Sequence, residues 1–413
     1  MISIAYIGLG NRGRVYMGGL SGYEDVAVTA LCDTRPVMLD HAGGRSPTAT
    51  RLADDNAFFA AGKLADWLVI ATPDHCHFRH AKAALQLGYH LICEKPVTAN
   101  PAEMEELCAL AKEKNRHVLV CHVLRYSPFY RTIKEIIESG AIGEVVNIAH
   151  EENVGYFHYA HSYVRGNWRN LSVGAPFLMA KCCHDVDLLH WFIRRPCESV
   201  SGFGGLTYFT RENMPEGAAA YCLQGCPHIK SCPYSVERLY LKRFTQLYWG
   251  KPPAAGLPYQ PTRQELREAL KENDYGRCVY QCDNNVHDHD SVAFRFAGGA
   301  TATLSISAFS LGTTRRIRIQ GTKGELWGRD HTMRIHLHKF GKAPKVLRVR
   351  NTNISGHGGS DQCFCEAAHA VMAGGPIDPE NLTTIEQTRI SHQICYAALQ
   401  SLETGEAALV AAQ

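Results

Sequence analysis

The sequence predicts an α/β chain: an amino-terminal doubly wound parallel sheet over residues 1–122, then an α+β domain over 123–413 with a large, mainly antiparallel sheet. Two patterns and the length carry this prediction. Over the first 120 or so residues, short continuous apolar runs alternate with amphipathic stretches, as strands buried on both faces alternate with covering helices. Beyond about residue 123 the apolar positions alternate in period two, the mark of half-solvated strands. A length of 413 residues suits two or three domains at about 150 residues each.

Taken in order, residues 2–7 form the first strand candidate, followed by a glycine-rich turn and a helical stretch over 12–20. Further strands are expected at 26–32, 67–71, 90–93 and 117–121, with a helix at 78–87. Asn100 as cap and Pro101 in the first turn open another helix running to about 114. In the second half, strands are expected at 143–153, 200–209, 291–296, 300–308 and 315–320, with hairpin turns at 297–299 and 321–324. Helices are expected at 183–193 and 385–402, and residues 211–285, rich in Pro, Tyr and Cys, read as an insertion.

Hydrophobic residues at 45% and charged residues at 20% exclude a disordered or collagen-like chain. A balance of 43 basic against 40 acidic residues gives no reason to expect nucleic acid as a partner. No apolar run reaches the roughly 18 residues of a membrane span. The first residues read straight into a strand, so the expected address is cytoplasmic. Sixteen cysteines are then expected to be mostly reduced thiols or metal ligands.

Gly8-Leu9-Gly10-Asn11-Arg12-Gly13 fits G-x-G-x-x-G between a strand and a helix, the context a dinucleotide-binding Rossmann turn requires. The first glycine allows the tight turn, the second lets backbone approach the pyrophosphate, and the third lets helix and strand pack closely. Asp33, at the end of the second strand, can accept hydrogen bonds from the adenosine ribose, which favours NAD. Arg35, beside Thr34, keeps NADP open as the lesser choice.

Ala71-Thr72-Pro73-Asp74-His75 and Cys93-Glu94-Lys95-Pro96 end the next two strands. With the fingerprint, with Arg125 and Pro128 at the domain junction, and with Gly140-Ala141-Ile142-Gly143-Glu144, they make the chain resemble the Gfo/Idh/MocA oxidoreductases over nearly its whole length. The resemblance implies that Lys95 lies between nicotinamide and substrate and moves the proton of the reacting hydroxyl. It also implies cofactor contacts from Thr72, Pro73, His75, His77, Glu94 and Pro96. A family histidine at the start of a helix matches His184, whose imidazole suits acid/base work near neutral pH. The family's aspartate four residues earlier is Ala180 here, and the adjacent Lys181 is expected to supply a cation instead. The resemblance further implies a homo-oligomer, a dimer or tetramer.

The segment from His161 to Asn170 gathers polar, aromatic and cationic groups, of which Arg165, Trp168 and Arg169 are candidate sugar contacts. His122, Arg125 and His357 complete the candidate substrate set. In the insertion, Cys222-x3-Cys226-x5-Cys232 with Cys278 could hold a structural zinc at about 2.3 Å per thiolate. Cys282 is a near-equal fourth ligand, and a disulfide or plain buried thiols are the alternatives. His287-Asp288-His289-Asp290 opens a strand, and no metal is placed there.

The expected activity is NAD(P)-dependent oxidation of a hydroxyl on a sugar, sugar acid or cyclitol, with hydride passing to nicotinamide. The alternative is an NAD-dependent glycoside hydrolase that works by transient oxidation, elimination, water addition and re-reduction, recycling its cofactor.

Overall fold

The structure, a computed structural model, describes residues 1–242, 261–350, 357–378 and 380–411. Six parallel strands form the first sheet: β1 (Ile2–Ile7), β2 (Val26–Cys32), β3 (Thr50–Leu52), β4 (Trp67–Ile70), β5 (His90–Cys93) and β6 (Val118–Val120). Their order is β3-β2-β1-β4-β5-β6. The reversal between β1 and β4 opens a crevice at the carboxyl ends of the strands, where open α/β sheets bind ligands.

Both faces of this sheet are covered. Helices α1 (Asn11–Leu20) and α2 (Pro36–Arg45) close one face through Tyr16, Met17, Leu20 and Leu39 against Ile4, Tyr6 and Val69. Helices α3 (Asp55–Ala60), α4 (Asp74–Gln86) and α5 (Pro101–Glu113) close the other through Phe58, Leu85 and Leu107 against Leu68, Ile70 and Leu91. Burial on both sides is why these strands are continuously apolar. The Asn100 side chain accepts from the Ala102 N–H at 3.0 Å, capping α5 at the residue the sequence marks.

After α6 (Pro128–Glu138), a nine-stranded sheet follows. Its strands are β7 (Val145–Gly155), β8 (Cys197–Gly205), β9 (His289–Phe296), β10 (Thr301–Ser310), β11 (Thr314–Gly321), β12 (Gly324–Arg329), β13 (Arg334–Lys339), β14 (Lys345–Arg348) and β15 (Ala408–Leu409). The order is β14-β13-β12-β11-β7-β10-β9-β8-β15, and β7 with β10 is its parallel pair. Burial alternates along β9 to β11, as the period-two pattern requires.

Four further helices follow α7 (Tyr156–Tyr159): α8 (Phe177–Ile193), α9 (Arg263–Ala269), α10 (Ser360–Met372) and α11 (Ile385–Thr404). Helix α8 lies on the inner face of the large sheet, and α11 packs on α8, β8, α5 and β6, touching both halves of the molecule. Helix α10 seals the first sheet beside α1 through Phe364 and Cys365.

Helix α8 begins at Phe177, six residues before the expected start, so His184 sits in mid-helix rather than at a helix start. Nearly every residue of α8 is buried, including Phe177, Leu178, Met179 and Ala180, so its amino-terminal half carries no polar face to betray the period. The 161–170 stretch, read as irregular, opens with a π-helical turn, Ala160–Arg165.

A buried ion pair ties the domain junction to α8. Arg125, in the short turn Val123–Tyr126 after β6, donates to both Asp187 oxygens at 2.7 Å, and both side chains are at most 1% exposed. Removing one partner leaves an uncompensated buried charge. Asp187→Ala is therefore expected to lower the unfolding free energy by about 3–5 kcal/mol in urea titrations; a loss under about 1 kcal/mol would show the pair to be dispensable.

Burial also depresses histidines. His122 is pushed down to about 4 and His161 to about 3, in both cases chiefly by loss of hydration. Such a ring binds its proton more readily in the unfolded chain, so its stabilising effect is complete above about 6.5 and fades as pH falls toward 4. The unfolding free energy from urea titrations should drop steadily between pH 6.5 and 4.5, by up to about 1.4 kcal/mol per pH unit for each such group. A flat profile over that window would contradict the burial of these rings.

Candidate active site

The turn between β1 and α1 has the shape a pyrophosphate needs. Gly8 has φ +88°, and a Cβ there would stand 2.5 Å from the Ala71 backbone. A Cβ on Gly13 would stand 2.0 Å from the Gly8 carbonyl oxygen, so this glycine sets the packing of α1 on β1. At Gly10 a Cβ would approach nothing but the Arg35 guanidinium, at 3.7 Å, which leaves the backbone open to a ligand. Asn11 and Thr34 are exposed beside it.

Asp33 ends β2 with its carboxylate accepting the Leu9 N–H at 2.8 Å and the Arg35 N–H at 2.9 Å. The Arg35 guanidinium also meets it, at 3.0 and 2.9 Å. This chain therefore fits a nicotinamide dinucleotide, with glycine backbone for the phosphates and Asp33 for the ribose.

Arg12 of the fingerprint is turned to carboxylates. It pairs with Glu94 at 2.6 Å and with Asp361 of α10 at 2.8 Å. Glu94 also accepts from Tyr16 at 2.6 Å and from the Lys95 N–H at 3.0 Å. Burial would raise the Glu94 carboxyl, but Arg12 and Lys95 overcome it and hold it below its usual value. His77 meets the carbonyls of Thr72 at 2.8 Å and Pro96 at 2.7 Å, clamping together the two loops that carry Thr72-Pro73 and Lys95-Pro96.

These contacts place Lys95 at the crevice. Its Nζ donates to the Ala180 carbonyl oxygen at 2.6 Å, one helical turn before His184 on α8. The His184 ring meets His122 edge to face at 5.4 Å, and His122 in turn meets His392 of α11 at 5.7 Å. His392 accepts from the Val97 N–H at 3.2 Å, supporting the loop behind Lys95. Neither ring nitrogen of fully buried His122 has a hydrogen-bond partner among the described residues. Lys181 points to Glu152 of β7, at 3.2 Å. Burial raises the Glu152 carboxyl despite Arg315 and Lys181 close by.

The remaining candidates are spent elsewhere. Arg125 is committed to Asp187. Arg165, 1% exposed, donates to the carbonyls of Arg277 and Tyr234 and approaches Cys222 Sγ at 3.8 Å. Both are structural cations, because a buried guanidinium takes whatever acceptors enclose it. Arg169 pairs with Asp283 and Asp274. The Trp168 indole donates to Asp74 at 2.9 Å, and His75 meets the Val173 carbonyl at 2.7 Å, so both hold the 166–175 loop against α4. His357 opens the turn His357–Gly359 ahead of α10, and its side chain lies outside the described part.

The zinc expectation finds no support in the described geometry. Among the described residues no group of three or more His, Cys, Asp or Glu side chains is arranged to hold a metal ion. Cys222, Cys226, Cys232, Cys278 and Cys282 are free thiols. Burial raises Cys232 and Cys278 and pushes Cys282 up to about 11. Residues 243–260 of the insertion lie outside the described part.

Four residues of the site escaped the sequence reading: Tyr16, Glu152, Asp187 and His392. Asp187 had a signal, standing three residues after His184 on one helix. The others reach the site only through tertiary packing. No helix among the described residues is long and apolar enough to cross a membrane.

Comparison with known proteins agrees with this fold. Residues 2–122 match the oxidoreductase family model for the NAD-binding Rossmann fold, and residues 134–410 match that family's C-terminal alpha/beta domain. The YteT protein of Bacillus subtilis is 23% identical over 390 residues, 89% of this chain and 88% of its own. A glycosyl hydrolase family 109 protein of Streptomyces coelicolor is 28% identical over 184 residues, 41% of this chain and 38% of its own. Among solved structures, the WlbA dehydrogenase of Bordetella pertussis, in complex with NADH and UDP-GlcNAcA, superposes with a TM-score of 0.71 at 18% identity, covering 100% of this chain and 98% of its own. The chain belongs to the Gfo/Idh/MocA family of NAD-binding oxidoreductases.

Proposed function

We propose that the chain oxidises a secondary hydroxyl of a carbohydrate or cyclitol with NAD, using Lys95 and His184 as the catalytic pair. The observation that carries this reading is the Lys95 Nζ contact with the Ala180 carbonyl, one turn before His184. When bound, NAD supplies the ring that accepts hydride. Lys95 takes the hydroxyl proton as the carbon–hydrogen bond breaks, and His184 orients the same oxygen or carries the proton onward. Gly8, Gly10, Gly13 and Asp33 hold the cofactor, with Thr72, Pro73 and Pro96 at its nicotinamide end. Arg35, already bonded to Asp33, is less available to a 2′-phosphate, which supports NAD over NADP.

A second reading is favoured by the glycosyl hydrolase family 109 relative: a redox-neutral glycosidase in which NAD is regenerated each turnover. The wild-type protein, incubated with NAD and a panel of nitrophenyl glycosides, free hexoses and cyclitols, separates the two. NADH accumulating in step with product marks the dehydrogenase, the result expected; nitrophenol released without net NADH marks the glycosidase.

Lys95→Ala should lose about 100-fold or more in kcat while retaining NAD affinity by calorimetry. A variant within threefold of wild type would remove Lys95 from the chemistry.

A further inference from the structure

Charge is unevenly laid out along this chain. Residues 314–350, which are strands β11 to β14 and their turns, hold eleven Lys or Arg against two Asp or Glu, while the whole chain stands at only +3. Strand register gathers four of these cations into one line. Arg316 of β11 pairs with Arg329 of β12, Arg329 with Arg334 of β13, and Arg334 with Arg348 of the edge strand β14. Residues paired across strands share a face. All four are exposed, on the side away from α8, because their neighbours Ile317 and Ile335 point into the core that α8 shares.

Like charges directly opposite one another destabilise a sheet. At one end of the line Arg316 meets Glu151 of β7, at 3.6 Å. Arg329, Arg334 and Arg348 make no ion pair among the described residues. Glu325 and Glu198, acids of the same sheet, are taken by Arg318 at 2.6 Å and Arg295 at 3.4 Å, so the sheet of a second copy offers no spare acidic row to receive the line. The line is also narrow. Two residues along the strands the outward positions are Arg318, already spent on Glu325, then Trp327, His336 and Val346. A membrane surface or a nucleic-acid duplex spreads its anions in two dimensions, and one row meets few of them. A single nucleic-acid strand uses separate aromatic platforms for its bases, whereas Trp327 and His336 are stacked on each other at 3.6 Å.

Strand spacing sets the four cations at intervals of about 4.8 Å. A linear polyuronate carries one carboxylate on each sugar ring and repeats its charge at a similar interval. Each guanidinium can grip a carboxylate through two parallel hydrogen bonds. We infer that the outer face of β11 to β14 is a docking site for a linear polyuronate, whose successive carboxylates lie across the strands on Arg316, Arg329, Arg334 and Arg348. At the sheet edge Arg348 also borders a cleft with Arg350 and Arg131, but Glu135 and Glu366 mix the charge there, so the uniform row is the recognition element. The site is separate from the Lys95 crevice and does not depend on the reaction proposed for it.

Calorimetry on the full chain with three probes tests this: hexagalacturonate, its methyl ester, in which the same backbone carries no charge, and single-stranded polyuridylate. Wild type should bind hexagalacturonate about 10-fold or more tighter than either other probe, and should lose about 10-fold or more as ionic strength rises from about 50 to 200 mM. The double variant Arg329→Gln with Arg334→Gln should weaken hexagalacturonate by about 10-fold or more. Its NAD affinity and urea midpoint should hold, since removing two opposed like charges does not cost the sheet stability. Arg348→Gln alone should weaken binding about threefold, and it serves if the double variant does not fold. Equal affinity for acid and ester, tighter binding of polyuridylate, no binding of hexagalacturonate, or a double variant that binds as wild type does would each overturn the assignment. So would a fall in the oligomeric mass of the double variant by sedimentation, which would give the row to a second copy of this chain instead.

Discussion

The buried pair of Arg125 and Asp187 is the contact on which the arrangement of the site depends. It joins the turn after β6 to α8, with both charges almost wholly out of water. A pair of this kind adds little net stability compared with well-packed apolar side chains, because desolvation consumes most of the attraction. Its consequence is positional. With Asp187 held at the carboxyl end of the first sheet, α8 has one register, in which His184 lies one turn before the pair and Ala180 one turn earlier still. In that register the Ala180 carbonyl accepts from Lys95 Nζ.

A second layer of buried charge lies between α8 and the large sheet. Asp185 accepts from His150 at 2.7 Å and from Arg315 at 2.7 Å, and Arg315 also meets Glu152. Burial would raise the Asp185 carboxyl, but Arg315 and His150 reverse it and hold it well below the usual range. Glu152, with the same guanidinium and Lys181 close by, is instead raised, since burial outweighs them. Two carboxylates sharing one arginine thus end on opposite sides of their ordinary values. Lys181 is the one member of this cluster more than a tenth exposed, and its ammonium is drawn inward to Glu152.

Much of the fold is legible in the chain because its physics is local. Strands β1, β2 and β5 lie where their apolar runs predict, and α5 starts at Asn100, where cap and proline coincide. β3 escapes because three residues carry no pattern, and the front of α8 escapes because a helix buried on every side loses its polar stripe. At the site, glycines and Asp33 are readable because their roles follow from backbone geometry at fixed offsets. Cations are not readable in this way. Arg12, Arg125 and Arg165 were expected to meet cofactor or sugar, yet each is claimed by a partner at least 60 residues distant: Asp361, Asp187 and the Arg277 carbonyl. Residue type announces a charge, and only the tertiary structure says which charge answers it. The cysteines make the same point, since spacing suggested a metal and the packing left free thiols.

The replacement of an expected aspartate by Ala180 follows the same electrostatic logic. An aspartate there would set a full negative charge beside Lys95 and His184, and a carbonyl dipole orients Lys95 Nζ without adding one. Glu94 already stands behind Lys95, matched by Arg12. A further carboxylate would add a second full negative charge beside Lys95. Alanine avoids that, and the neighbouring Lys181 adds no net positive charge because Glu152 cancels it. Lys95 is thereby left with a carbonyl rather than a carboxylate partner on α8, near His122, whose imidazole burial holds below its usual value. The substitution at residue 180 and the buried carboxylate at residue 152 are two halves of one charge balance, and each makes sense of the other.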